Sequence, residues 1–282
     1  FGTDGFRGEA NVTLTANHAY KVGRFLGWYF SVKNQSNKNN EKARIVIGKD
    51  TRLSSYMFEY ALIAGLTASG ADAYMLHVTT TPSVAYITKT DSFDCGIMIS
   101  ASHNPYYDNG IKLINSDGEK MNDEIINQIE NYIDGNLNLF DVSDDNIPLA
   151  KKENIGKTVD YISGRNRYVA YLISLGLYSF KGIKIGLDCA NGSSWNIAKT
   201  VFDALGAQLY VTGCSPDGLN INKNVGSTHI ESLISLVKEN HLDIGFAFDG
   251  DSDRCIAVDE KGNEVDGDKM MYILASRLKS RG

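Results

Sequence analysis

No run of apolar residues in this chain approaches the roughly 20 that a bilayer-spanning helix needs, so nothing in it reads as a membrane anchor. The opening Phe1-Gly2-Thr3-Asp4-Gly5 has neither the basic nor the apolar region of a secretory signal, and no initiating Met. The chain is therefore expected to begin inside its coding sequence and the protein to work in the cytoplasm. A basic excess is also missing. Lys and Arg number 28 against 34 Asp and Glu, a formal net charge of -6, where a nucleic-acid binder wants a positive face. Neither nucleic acid nor membrane is expected as a partner, although a small anion could still bind where local Arg, Lys or a metal overrides the global sign. The four cysteines, Cys95, Cys189, Cys214 and Cys255, include no CxxC pair. That disfavours a zinc ribbon or a disulfide framework and suits small buried thiols in a reducing compartment.

What is present is the balance of an ordinary globular protein, 43% hydrophobic and 22% charged over 282 residues, enough for about two domains at roughly 150 residues each. Short apolar runs alternate with segments of helical spacing. Arg44–Asp50, Ala73–Val78 and Cys95–Ser100 read as strands, and Tyr56–Ala68 and Pro82–Lys89 as helices. Such alternation predicts βαβ units and a parallel sheet. Lys112–Met121, with its Asp117-Gly118 turn, predicts a hairpin, and Asp123–Ile133 an amphipathic helix. Residues 135–158 are polar and aperiodic and read as a connection between domains.

The pattern then restarts: helix at about Tyr161–Leu175, strand at Ile183–Asp188, helix at Trp195–Leu205, strand at Gln208–Thr212, helix at Ile230–Asn240, strand at Leu242–Asp249. Both regions place Ile-Gly-x-Asp at a strand end, then a Ser pair opening a helix, then Gly-Ala before the next strand. Duplicated α/β domains account for this, as does punctuation common to all βαβ units. A hairpin over Cys255–Asp266 leads to a helix capped by Asp268 and running to about Lys279, left without a partner. The expected organisation is a first domain over 1–150, a second over 151–258, and the start of a third over 259–282 within which the chain is truncated.

Two segments carry chemistry. Ser100-Ala101-Ser102-His103-Asn104-Pro105 follows a buried strand, where α/β sheets place ligand sites. A serine there can be a nucleophile if something activates it, although the hexapeptide alone reads more readily as a Ser/Asn/Pro turn. It is not a G-x-S-x-G elbow, so a hydrolase reading gains nothing. Asp249-Gly250-Asp251-Ser252-Asp253-Arg254 sets three carboxylates at alternate positions after an apolar strand. Three gathered negative charges call for a cation, and oxygen ligands select Mg²⁺ or Ca²⁺. The spacing mimics an EF-hand loop, but Arg254 stands where the sharp turn demands Gly and the flanks are strands, so that reading is rejected. A phosphate oxygen is a natural further ligand for Mg²⁺, which makes a serine-borne phosphate and this acidic loop a sensible pair. Arg7, in the Gly-rich opening, offers a fork for phosphate, and Lys112 stands just past the serine loop.

At these residues the sequence resembles the α-D-phosphohexomutase superfamily. The matching segments run in order along the chain: FGTDGFRG from Phe1, GKDTR at 48–52, TTPSVAY at 80–86, ISASHNPYYDNGIKL at 99–113, SPDGLNIN at 215–222, GSTH at 226–229 and DGDSDR at 249–254. The opening motif favours the bacterial glucosamine branch over the glucose and mannose branches. The resemblance implies an α/β fold of tandem duplicated three-layer domains of the phosphohexomutase type. It also implies a phosphate on Ser102, handed to O1 of glucosamine 6-phosphate to give a 1,6-bisphosphate and then taken back from O6. Mg²⁺ would be held by Asp249, Asp251, Asp253 and the Ser102 phosphate. Arg7 and Arg254 would steady phosphate charge, Lys112 would handle the proton and His103 would help position the serine loop; a homodimer is a further expectation. The family's sugar-selecting loop of domain 3 and phosphate loop of domain 4 are absent from this chain, so turnover by these residues alone is not expected. Val225 stands where close relatives are expected to carry Cys.

Overall fold

The computed structural model describes residues 5–37, 41–136 and 147–280. The first four residues of the opening motif, ten residues of the polar connection and the last two residues lie outside these. The chain divides into two compact units, Phe1–Ala101 with Tyr106–Tyr168, and Ser102–Pro105 with Val169–Gly282.

The first unit contains β1 (Phe6–Glu9), α1 (Ala16–Asn37), β2 (Arg44–Lys49), α2 (Leu53–Ala68), β3 (Asp72–Val78), α3 (Thr81–Thr90), β4 (Cys95–Ile99), β5 (Asp108–Asn115), α4 (Asp123–Ile133) and β6 (Thr158–Asp160). The division falls within α5 (Ile162–Ser174). The sheet order is β1-β5-β4-β2-β3-β6. Strand β2 is covered on both faces, which is why it reads as an unbroken apolar run. Ile45 and Ile47 join a cluster with α1, α2 and α4 residues such as Phe25, Leu62 and Ile129. Val46 joins Val84 and Ile87 of α3 on the other side. Helix α1, which the sequence reading leaves unassigned, lies extremely close to α2: a Cβ on Gly23 would sit 2.3 Å from the Leu62 carbonyl oxygen, and one on Gly65 2.2 Å from that of Tyr20. Helix α3 starts where Thr80 Oγ1 accepts from the Ser83 amide at 3.2 Å, with Pro82 in its first turn.

The second unit contains β7 (Lys184–Asp188), α6 (Ser194–Ala204), β8 (Gln208–Thr212), α7 (Glu231–Asn240), β9 (Ile244–Phe248), β10 (Cys255–Asp259), β11 (Glu264–Val265) and α8 (Gly267–Lys279). Its sheet order is β11-β10-β9-β7-β8. Helix α6 packs on one face through Ala198, beside Ile185 and Leu187, and α7 on the other through Leu233 and Val237, beside Ala247. Each unit is thus an α/β/α sandwich. The inner orders β5-β4-β2-β3 and β10-β9-β7-β8 correspond strand for strand, with the first member of each antiparallel to its neighbour and the rest parallel. The duplication expected from Ile-Gly-x-Asp is therefore present in the topology.

Four local expectations are corrected. The sheets are mixed, because β5 and β1, and β10 and β11, run antiparallel. The hairpin at 112–121 reduces to a single bridge, Ile114 to Lys120, since β5 begins at Asp108 and spends its pairing on β4 and β1. Asp266, not Asp268, caps α8, its Oδ1 accepting from the Lys269 amide at 2.9 Å. Cys95 and Cys189 are buried as expected, whereas Cys214 and Cys255 are only partly so. Helix α8 buries none of its residues. No helix among the described residues is long and apolar enough to cross a membrane.

Candidate active site

The two chemistry-bearing loops occupy equivalent turns of the duplicated fold. The serine loop joins β4 to β5, and the acidic loop joins β9 to β10. Each follows the parallel strand that pairs with an antiparallel neighbour, where the chain doubles back.

Segment Ser102–Pro105 groups with the second unit. Ser102 is 1% exposed and holds a left-handed backbone, φ +55°. Such a conformation costs a non-glycine residue about 1–3 kcal/mol and is found where a side chain must be aimed. Its Oγ donates to Asp249 Oδ2 at 2.5 Å. Behind it, Asn222 Nδ2 donates to the carbonyl of Ser102 at 2.9 Å and of Asn104 at 3.1 Å. Gly250 permits this approach: a Cβ there would lie 2.6 Å from the Ser102 carbonyl oxygen. The turn after β7 supports the acidic loop from the other side, Ser193 donating its amide to the Gly250 carbonyl at 2.8 Å. Left-handed residues gather here: Ala190, Asn191, Asn222 and Ser252 join Ser102.

Asp249, Asp251 and Asp253 each bring a carboxylate oxygen within 4.8 Å of the others. Asp249 and Asp251 are buried and Asp253 is exposed. Burial, reinforced by the charge of Asp251 and then of Asp253, pushes the Asp249 carboxyl up to about 6, although the Ser102 hydroxyl and the Arg254 amide both hydrogen-bond it. Three carboxylates forced together at the end of β9, one of them already resisting ionisation, are what a divalent cation relieves. The all-oxygen donor set fits a hard ion.

The remaining predicted residues divide between the units. His103 follows Ser102 and is half-buried, and Arg254 is exposed, its amide 3.2 Å from Asp249 Oδ1. Arg7 lies on β1 opposite Gly110, and Lys112 on β5 opposite Met98, both in the first unit. That unit also fixes the start of the serine loop through residues not singled out by chemistry. Arg52, fully buried, pairs with Asp50 and lies 3.4 Å from Ser100 Oγ. Asp50 Oδ1 also accepts from Ser55 Oγ at 2.8 Å, and Asn109 donates to Ser55 Oγ at 3.0 Å. Asn222 and Arg52 both fall in segments matched to the superfamily; their roles required the fold.

Residues 1–139 match the family model for phosphoglucomutase/phosphomannomutase, alpha/beta/alpha domain I, and residues 166–262 that for domain II. Proteins named phosphoglucosamine mutase from Lachnospira eligens and Lachnoclostridium phytofermentans are 65% and 61% identical over the whole of this chain. One of the same name from Streptococcus sanguinis is 49% identical. The chain spans 60% of the length of each of these relatives. Among solved structures, a phosphoglucomutase/phosphomannomutase family protein from Burkholderia thailandensis superposes with a TM-score of 0.79 at 24% identity, covering 99% of this chain and 58% of that one. A putative phosphomannomutase from Thermus thermophilus gives 0.80 at 20% identity, covering 100% and 62%.

Proposed function

The chain belongs to the phosphoglucomutase/phosphomannomutase family, and from that premise we propose that it supplies the nucleophile and the metal site of a phosphoglucosamine mutase. The reaction is the interconversion of glucosamine 6-phosphate and glucosamine 1-phosphate through a 1,6-bisphosphate, feeding the supply of UDP-N-acetylglucosamine. The relatives at 49–65% identity carry that name, while the mannose- and glucose-named structures at 20–24% identity speak for the fold alone. The observation that carries the reading is the 2.5 Å hydrogen bond from Ser102 Oγ to Asp249, which joins the candidate nucleophile to the acidic triplet.

Ser102 carries the phosphoryl group. The P–Oγ bond breaks as a bond forms from phosphorus to O1 of the sugar, O1 loses its proton to a base, and Ser102 Oγ is left to be reprotonated. After the sugar has turned over, the O6 phosphoryl returns to Oγ by the reverse bookkeeping of bonds and protons. Lys112 is the proposed proton handler, and Arg7 and Arg254 the cationic partners of phosphate oxygens. His103 steadies the serine loop. Asp249, Asp251 and Asp253, with the Ser102 phosphate, would hold Mg²⁺, which when bound neutralises charge on the transferring group. The left-handed backbone of Ser102 and its hold by Asn222 keep Oγ aimed at the triplet before substrate arrives. A cytoplasmic location belongs to the same reading, since the proposed substrates are cytoplasmic sugar phosphates.

Peptide mapping of the protein purified from cells tests this. One phosphate is expected, on Ser102, and Ser102→Ala in the full-length enzyme should lose both the phosphate and turnover. Full turnover in that variant would sink the mechanism.

A further inference from the structure

We propose that Cys189 and Cys214 form a peroxide-sensitive thiol pair that closes to a disulfide beside the turn supporting the acidic loop. The inference does not depend on the reaction assigned above.

The two cysteines stand 25 positions apart in sequence, Cys189 just after β7 and Cys214 just beyond β8. The parallel register of β7 and β8 ends at Asp188 opposite Thr212. The Cys189 amide closes that last pair by donating to the Thr212 carbonyl at 3.2 Å, and beyond it the regular register gives way to a bond from the Asn191 amide to the Gly213 carbonyl at 2.6 Å. Cys189 thus stands opposite Gly213, and Cys214 is its diagonal neighbour. In an ideal ladder, with strands about 4.8 Å apart and a rise of about 3.3 Å per residue, such a diagonal spans about 6 Å between Cα atoms. A disulfide needs roughly 4.4–6.8 Å.

Strict strand alternation would point diagonal neighbours to opposite faces. Gly213 breaks that alternation with φ +59°, and Cys214 turns onto the same side, packing on the cluster that contains Cys189 and Ala198. Its Sγ donates to the Thr212 carbonyl at 3.3 Å, the same carbonyl that accepts the Cys189 amide. The two thiols share that cluster and differ in character. Contact with Cys189 lowers the pKa of Cys214, with Lys199 helping; contact with Cys214, then burial, pushes Cys189 well up. Cys214 is the partly exposed, more acidic member and Cys189 the buried one.

That asymmetry sets the order of events. The Cys214 thiolate attacks one oxygen of hydrogen peroxide; the O–O bond breaks, giving Cys214 sulfenic acid and, after protonation, water. Cys189 sulfur then attacks the sulfenic sulfur and displaces its hydroxyl, which leaves as water with the Cys189 proton. In sum, two thiols and one peroxide give one disulfide and two waters.

The position gives the bond a consequence. The turn it would fasten donates the Ser193 amide to Gly250 of the acidic loop and accepts the Asn222 amide on the Ala190 carbonyl, both at 2.8 Å. Asn191 Oδ1 meanwhile accepts the Ser215 amide at 3.0 Å, next to Cys214. A covalent tie between the strand ends stiffens the seat of Asn222 and Gly250 together.

The test treats the native protein with hydrogen peroxide, blocks free thiols, denatures it, and maps the digest without reductant. The expected result is a linked Cys189–Cys214 peptide, loss of two hydrogens from the intact mass, reversal by dithiothreitol, and slower amide exchange at residues 189–193. Cys255, whose thiol burial raises to about 11, should stay reduced and serve as the internal comparator. In Cys214→Ser, Cys189 should remain fully alkylatable after denaturation; this partly exposed position carries the variant arm because Cys189→Ser alters the core. Full alkylation of Cys189 in peroxide-treated wild type, or oxidation of Cys255 ahead of the pair, overturns the proposal.

Discussion

Asn222 holds Ser102 from behind, its side-chain amide donating to the Ser102 carbonyl at 2.9 Å and to the Asn104 carbonyl at 3.1 Å. Asn222 is itself left-handed, φ +59°, and 6% exposed. Substitution by Gly keeps the backbone conformation and deletes the two bonds, so Asn222→Gly should cost about 1–3 kcal/mol. Asn222→Ala should cost about 1 kcal/mol more, because alanine resists the left-handed region. Urea denaturation of both variants measures the difference. Equal stabilities for Gly and Ala would mean that the backbone at 222 had relaxed.

Asp249 gives a pH dependence with a definite sign. Its carboxyl, raised from 3.8 to about 6 in the folded protein, binds a proton there that the unfolded chain has already released. Between those values the folded state holds more protons, so stability contributed at low pH is lost as pH rises through about 6. The loss amounts to about 3 kcal/mol by pH 7.5 for a shift of this size. In chelator, Asp249→Asn should therefore be more stable than the parent at pH 7.5 and nearly equal to it at pH 4. Mg²⁺ should restore the parent at pH 7.5 and bind progressively more weakly below pH 6. Thermal melts across that range, with and without the ion, decide the point; a stability gap independent of pH counts against a raised Asp249.

Gly250 makes a steric prediction at the same seam. A methyl there would meet the Ser102 carbonyl oxygen at 2.6 Å and Ile221 Cδ1 at 2.9 Å. Backbone on one side cannot yield cheaply, so Gly250→Ala should destabilise by about 1–3 kcal/mol. It should also lengthen the Ser102–Asp249 contact. A crystal structure of the variant with an unmoved serine loop would contradict this.

How much of this was legible beforehand depended on what kind of signal each residue carries. Asp249, Asp251 and Asp253 announce themselves, because three carboxylates ending an apolar strand have few inexpensive explanations. Ser102 does not: its hexapeptide also spells a turn, and it gains chemical meaning only beside the acidic loop and the matched segments around it. The support given by Asn222 was invisible, because its contact with Ser102 joins residues 120 positions apart. Helix α1 escaped assignment since the face it turns to α2 is built on Gly23 and Gly27, residues that read as helix breakers until close packing explains them. The antiparallel sense of β5 was hidden too; its Asp117-Gly118 turn suggested a local hairpin, but β4 and β1 took the pairing. Cys189 and Cys214 looked inert for a similar reason, since strand register rather than spacing brings them together.

The buried Asp50–Arg52 pair offers a test of how the serine loop is anchored. Both side chains are fully buried, and Arg52 also reaches Ser100 Oγ at 3.4 Å, two residues before Ser102. Removing one charge leaves the other buried without its counter-ion, so Arg52→Met and Asp50→Asn should each cost about 3–5 kcal/mol. The double variant removes both charges at once and should fall short of the summed single losses by at least about 1 kcal/mol, the signature of direct coupling. Urea denaturation of the four proteins closes the cycle. Strict additivity would show that Asp50 is held by the Arg52 amide and Ser55 hydroxyl, at 3.0 and 2.8 Å, and that the guanidinium serves the loop instead.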